Sequence, residues 1–196
     1  MKGKKKFLDI ALDIFLIIGI VCCLFLLVLK IAYVKVIVSG SSMNPSITNG
    51  DVGYMVKVRK NTKIERFDVV AGEYNSSQDY YIIKRVLGLP GEHVKLTNNV
   101  LYVNDVVVAQ NFYFNPSDSD FDINEWTLGE DEYLLVGDNR SHTISPVKEK
   151  KSEIIAKNGI SYGSYDINSD KCKTSDYSSC PLQYNPWYKF KEGRNQ

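Results

Sequence analysis

An unbroken apolar run from Ile14 to Leu29, preceded by Lys2, Lys4, Lys5 and Lys6, sets the first limit on what this chain can become. Sixteen residues of helix rise about 24 Å, a little short of the ~30 Å hydrocarbon core of a bilayer. Extension through Ile31, Ala32, Tyr33 and Val34 closes the gap, provided that Lys30 snorkels its ammonium to the outer headgroups. Asp9 and Asp13 then mark the inner boundary. Lysines ahead of the span predict an inside N-terminus and an outside C-terminal part. A cleaved secretory leader starts the same way, yet no small-x-small site follows promptly, and the run exceeds a typical leader's apolar region. A helix of a soluble core would keep a polar face, and this one has none. The expected organisation is a basic cytoplasmic stretch at 1–9 and an uncleaved single-pass anchor at 10–34.

Charge and cysteine content remove other classes. The formal net charge is +1, so no basic excess exists to neutralise phosphates, and a nucleic-acid partner is not expected. Of the four cysteines, Cys22 and Cys23 lie in the span as small apolar filler. Cys172 and Cys180 lie in the outer part, where a disulfide and two free thiols are both open. The histidines are His93 and His142, neither at a ligand-like spacing from a cysteine, so no metal site is expected.

Beyond the span the pattern is one of short strands. Ala32–Val38, Val52–Val58, Phe67–Ala71, Tyr80–Leu87 and Tyr133–Val136 read as extended, and Val100–Val103 with Val106–Val108 flanks Asn104-Asp105 as a hairpin. A helical period is expected only at Lys148–Lys157, and Asn115–Asn124 and Ser161–Cys180 read as loops. Many short strands with turn punctuation point to a mainly β domain, a barrel or a coiled system of sheets.

Three blocks carry candidate chemistry. Ser39-Gly40-Ser41-Ser42-Met43-Asn44-Pro45 offers a hydroxyl on a sharp bend; a Gly/Ser linker is the plain alternative, but it has no use for Met43 and Pro45. Lys84 lies among apolar strand residues, where desolvation lowers the pKa of an amine and suits it to act as a general base. The plain alternative is a solvent-facing lysine on an edge strand. Gly137-Asp138-Asn139-Arg140 follows an apolar strand, either as an ordinary tight turn or as a carboxylate set beside a buried cation. With His142 nearby, a Ser42-His142-Asp138 triad is also open at this point.

In order, Ser42-Met43-Asn44-Pro45, Lys84-Arg85-Val86-Leu87-Gly88-Leu89-Pro90-Gly91 and Gly137-Asp138-Asn139 resemble the motifs of the bacterial type I signal peptidases, in their compact Gram-positive form. Arg66-Phe67-Asp68-Val69-Val70 matches a fourth family segment, and the likeness runs over roughly residues 10 to 160. The resemblance implies antiparallel coiled sheets, barrel-like, after one transmembrane helix. It implies a catalytic domain at 35–160, followed by a C-terminal extension at 161–196 that holds the Cys pair. It implies a serine endopeptidase that removes signal peptides from exported preproteins after small-x-small sites. Ser42 would be the acylating nucleophile, its N–H one oxyanion donor, and Lys84 the general base. Met43 and Ile82 would line the substrate pocket, Thr143 would orient the lysine, and Arg85 with Asp138 would brace the two motifs. No cofactor follows from the resemblance. The implied partners are preprotein signal peptides, the lipid bilayer and the secretion translocon, with the protein single-pass in the cell membrane. The lysine at position 84 selects the bacterial branch over relatives with histidine there, which demotes the His142 triad.

The chain departs from the family pattern after Thr143, which itself stands for a serine. Ser145-Pro146-Val147 replaces Asp-Ser-Arg, Ala156 stands at an expected glycine, and the loop between is about three residues short. These departures motivate a second expectation, a weakly active homologue serving as a pilus or secretion assembly factor. A third, a soluble self-cleaving repressor, lacks its DNA-binding domain, because the anchor occupies that place.

Overall fold

The computed structural model describes residues 2–75, 80–116, 124–141, 146–165, 182–183 and 188–189, and the chain divides into two units, Met1–Val34 and Lys35–Gln196. The first unit is a helix, α1 (Lys2–Ala32). Its apolar part, Ile10–Ala32, has 23 residues, about 35 Å of rise and long enough to cross a bilayer. Large apolar side chains stay exposed all round it, Phe15 at 76%, unlike the one-sided burial of a soluble amphipathic helix. This helix fits a membrane anchor. The Cys22 and Cys23 thiols lie on it, exposed and free; Cys172 and Cys180 fall outside the described residues. Tyr33 and Val34, counted into the span by hydropathy, instead open strand β1 (Tyr33–Ile37). The helix is long enough without them, and an aromatic and β-branched run favours extended backbone.

The second unit is mainly β. In chain order its strands continue as β2 (Asp51–Lys57), β3 (Val69–Asn75), β4 (Tyr80–Gly88), β5 (His93–Thr97), β6 (Val100–Val103), β7 (Val106–Val108), β8 (Asn124–Thr127), β9 (Glu132–Val136), β10 (Val147–Lys150), β11 (Ile154–Tyr165), β12 (Leu182–Gln183) and β13 (Tyr188–Lys189). They form two antiparallel sheets. The larger has the order β1-β2-β11-β3-β4-β9-β10, with β12 and β13 added on β11, and the smaller has the order β7-β6-β5-β8.

Two strands, β4 and β9, are apolar on both faces because each face meets a different core. Leu87, Leu134 and Val136 turn towards the smaller sheet and pack with Val94, Leu96, Leu101, Val103, Phe112 and Leu128. Val86, Tyr133 and Leu135, one residue out of phase, pack with Ile64, Val70 and Ile154 on the other side. This is why Tyr80–Leu87 reads as a nearly continuous apolar run rather than as an alternation. The same two-residue period puts Lys84 on the Val86 face and Arg85 on the Leu87 face.

The Asn104-Asp105 hairpin is formed, with Val103 opposite Val106 and both turn residues at positive φ, 49° and 64°, as a type I′ turn requires. A second such turn, Asn98-Asn99 at 48° and 62°, joins β5 to β6 and went unread in the sequence. Three further expectations are corrected. Lys148–Lys157 is not helical: β10 leads through a 3₁₀ turn, Lys151–Glu153, into β11. Lys148 and Lys150 face out while Glu149, Ile154 and Ala156 face in, which is a strand period. Ser161–Tyr165 is not loop but continues β11 along β2, with Ser161 opposite Gly53 and Ser164 opposite Asp51. Residues 124–127, at the end of a stretch read as loop, form β8 against β5.

The larger sheet coils strongly. In a flat sheet β10 and β3 would lie about 14 Å apart, with β9 and β4 between them. Yet the Glu149 carboxylate of β10 occupies the space that a side chain on Gly72 of β3 would fill. Glu149 is 3% exposed, and neither of its carboxylate oxygens has a hydrogen-bond partner among the described residues. Burial, with Glu153 and Glu73 close by, raises its pKa to about 8.

Candidate active site

The bend between β1 and β2 is shaped by small residues and pinned at its base. Val38 N–H donates to Asp51 O at 2.8 Å and Gly50 N–H to Val38 O at 2.9 Å. Gly40 sits at φ 107°, and its N–H donates to Asn49 Oδ1 at 2.9 Å. Ile47 N–H donates to Met43 O at 3.0 Å, and the Met43 and Ile47 side chains are buried. A flexible linker has no such anchors. Ser42 is half-buried on this bend, directly before Met43. A side chain at position 40 would meet no atom within 4 Å, so Gly40→Ala tests backbone strain alone. It is expected to destabilise the chain by about 1–2 kcal/mol in chemical denaturation.

Lys84 lies in mid-β4, opposite Val70 of β3, and is 7% exposed. Burial pushes its ammonium below the ordinary lysine value, and the Asp138 carboxylate partly opposes that shift. Ile82 is half-buried two residues earlier on the same face.

Arg85 points the other way and is fully engaged. Its Nε and one terminal nitrogen donate to the two Asp138 oxygens at 2.8 and 2.6 Å, and its other terminal nitrogen donates to Phe67 O at 2.9 Å. Its guanidinium carbon lies 4.2 Å from the Phe112 ring centroid, a cation–π contact. Phe67 is at φ 71°, an unusual place for a bulky residue, and in that conformation its carbonyl meets Arg85. Asp138 is completely buried.

The turn that carries Asp138 also grips the bend that carries Ser42. Asn139 N–H donates to Ser42 O at 3.0 Å, and Asn139 Nδ2 donates to Ser41 O at 3.0 Å. Ser46 Oγ donates to Tyr113 O at 2.9 Å and accepts from Arg85 at 3.4 Å. Ser42, Ser46, Arg85 and Asp138 are thus linked through one connected set of hydrogen bonds, and Lys84 directly precedes Arg85 on β4. Thr143 and His142 lie outside the described residues. Sequence reasoning missed Ser46, Phe112 and Asn115. Phe112 and Asn115 lie outside every motif, and the only signal at Asn115 was that it opens a polar stretch.

The fourth motif works at a distance. Arg66 donates to both Glu92 oxygens at 2.9 and 2.6 Å, and to Leu87 O at 2.7 Å, tying it to the end of β4 and the segment that follows. Asp68 accepts from Lys157 Nζ and Asn158 Nδ2, each at 2.8 Å. Arg66→Ala is expected to lower stability by about 1–2 kcal/mol in urea titration, because it removes the guanidinium paired with Glu92 and leaves only the Leu89 N–H on that carboxylate.

A family model described as signal peptidase, peptidase S26, matches residues 11–151. Signal peptidase I V of Bacillus subtilis strain 168 is 34% identical over 131 residues, 58% of this chain and 77% of that one. Signal peptidase I of Streptococcus pneumoniae serotype 4 is 39% identical over 90 residues, 42% of each chain. Among solved structures, a signal peptidase I from Enterococcus faecalis V583 shares 23% identity, with 47% of this chain and 94% of that one covered and a TM-score of 0.39. The family match spans the apolar helix and all four sequence motifs, and this chain belongs to the signal peptidase family, peptidase S26, as a serine endopeptidase.

Proposed function

We propose that Ser42 is the nucleophile and Lys84 its general base, in a protease that releases exported preproteins by cutting after small-x-small sites. Cleavage of signal peptides from preproteins comes with the family. In this reading Ser42 Oγ attacks the scissile carbonyl as Lys84 Nζ takes its proton. The resulting ammonium then protonates the leaving amine. With the new N-terminus gone, Lys84 deprotonates a water, which attacks the Ser42 ester and frees the signal peptide's carboxylate. The Ser42 N–H stabilises the oxyanion at both stages. Thr143 orients the lysine, Met43 and Ile82 line the pocket for the small residue, and Arg85 with Asp138 holds β4 against the Gly137–Asn139 turn.

The observation that carries this reading is Lys84 itself. It is a buried amine with a lowered pKa, and it makes no hydrogen bond or ion pair among the described residues. Its sequence neighbour Arg85 takes the carboxylate that would otherwise neutralise it. Because both Asp138 oxygens serve Arg85, a Ser42-His142-Asp138 triad is disfavoured. Membrane insertion by α1, with Lys2–Lys6 inside and residues 35–196 outside, completes the proposal, and the translocon is its expected neighbour. The test is incubation of the detergent-solubilised chain with several preproteins, beside Ser42→Ala and Lys84→Ala variants. Loss of cleavage in both variants supports the dyad. No cleavage by the unaltered chain would favour the assembly-factor alternative instead.

A further inference from the structure

The peptide that joins Ser41 to Ser42 is held from one side only. Its carbonyl, Ser41 O, accepts from Asn139 Nδ2 at 3.0 Å and from Asn44 N–H at 3.1 Å. In a trans peptide the C=O and N–H point in opposite directions, so these two bonds together aim the Ser42 N–H away from Asn139. That N–H has no partner among the described residues. Asn139 also donates its own N–H to Ser42 O at 3.0 Å, so one residue grips the carbonyls on both sides of the Ser42 α-carbon.

A side-chain amide holds a carbonyl only when its NH₂ end faces it, and here a second asparagine sets that choice. Asn115 Nδ2 donates to Asn139 Oδ1 at 3.1 Å, and Ser141 Oγ donates to the same oxygen at 2.8 Å. With Oδ1 committed to two donors, Nδ2 is left for Ser41. Asn115 is itself fixed through its backbone. Its N–H donates to Asp138 O and its C=O accepts from Arg140 N–H, both at 2.8 Å, as a parallel bridge to Asn139. The Phe112 and Phe114 rings on the same segment lie against the Arg85 and Arg140 guanidiniums.

We infer that Asn115 is a positioning residue for the oxyanion hole: through the Asn139 amide it fixes the Ser41–Ser42 peptide so that the Ser42 N–H faces the reacting carbonyl. This rests on the reading of Ser42 as nucleophile and oxyanion donor. Asn115→Asp keeps the shape but replaces the donor with an acceptor facing Asn139 Oδ1, which turns the Asn139 amide round. Asn115→Ala removes the constraint and serves as the second variant if the first does not fold.

The experiment is steady-state cleavage of a preprotein by the full chain in detergent, with melting temperatures measured alongside. Asn115→Asp is expected to lower kcat about 10- to 100-fold while KM stays within about twofold, because the lost stabilisation belongs to the transition state. In an Asn139→Ala background, Asn115→Asp is expected to cause no further loss, since it acts through that amide. An unchanged kcat, a rise in KM alone, or an equal further loss in the Asn139→Ala background would overturn the inference. Retained activity in Ser42→Ala would instead overturn the dyad itself, so the two failures are distinguishable.

Discussion

Lys84→Met is expected to reduce kcat on a preprotein by about 10³- to 10⁴-fold, leave KM within about twofold, and raise rather than lower the melting temperature. In the proposed dyad the rate falls because a thioether cannot accept the Ser42 proton. Stability rises because the same burial that prepares the amine for catalysis opposes its charged form in the folded chain. The sign follows from linkage. A lysine with a folded pKa below its unfolded value binds less proton when folded, so its contribution to stability improves as pH rises. Activity should climb along the same axis and level off below the ordinary lysine range, as the neutral base accumulates. A pH–rate profile of kcat/KM that keeps rising to the unperturbed lysine value would count against the buried base. Ser42→Ala should lose activity to a similar extent with no change in pH-dependent stability, which separates the two roles.

Glu149→Gln is expected to raise the unfolding free energy at pH 7 by about 3 kcal/mol and to change it little at pH 4. Glu149 is an acid whose folded pKa, about 8, lies above its ordinary value of 4.5. The folded state therefore holds the proton more tightly. Stability is greatest below the ordinary value and declines as pH rises towards 8, by ~1.4 kcal/mol per unit. Glutamine keeps the shape and polarity of the protonated acid without the titration. Chemical denaturation of the detergent-solubilised chain between pH 4 and pH 8, followed by tryptophan fluorescence, measures this directly. A difference between the two proteins that is flat with pH would sink it. Gly72→Ala offers an independent check: its methyl would need the space that the carboxylate fills, so Glu149 should be expelled towards solvent and the pH dependence should vanish with it.

What the sequence disclosed here, and what it did not, has a physical pattern. The long apolar helix was legible because hydrophobic length needs no partner to be interpreted. The Asn104-Asp105 hairpin was legible because both turn residues must take positive φ. Lys148–Lys157 was misread because Glu149, a charged residue facing inward, hides the alternation of β10, and the 3₁₀ turn shifts its phase before Ile154 and Ala156 resume it. The strand β8 was missed because Asn124-Glu125-Trp126-Thr127 is polar and gains its place from pairing with β5. At the site, the proposed nucleophile and base, Ser42 and Lys84, were singled out through motif order, whereas the proposed role of Asn115 runs through its backbone and an amide, neither of which leaves a mark in residue type. No pattern in Arg66-Phe67-Asp68 showed that Phe67 would take a positive φ and offer its carbonyl to Arg85.

The burial of β4 on both faces bears on how the site opens. The strand is paired with β3 on one side and β9 on the other: Lys84 lies opposite Val70, and Arg85 lies opposite both Val69 and Val136. Amides in such a strand exchange with deuterium only when the whole domain unfolds. The bend bearing Ser42 is held instead by its buried Met43 and Ile47 side chains and by hydrogen bonds from Asn139, and its amides are expected to exchange ahead of those of β4. The proposed base thus lies on the strand expected to exchange last, and the proposed nucleophile on a bend held by fewer pairings.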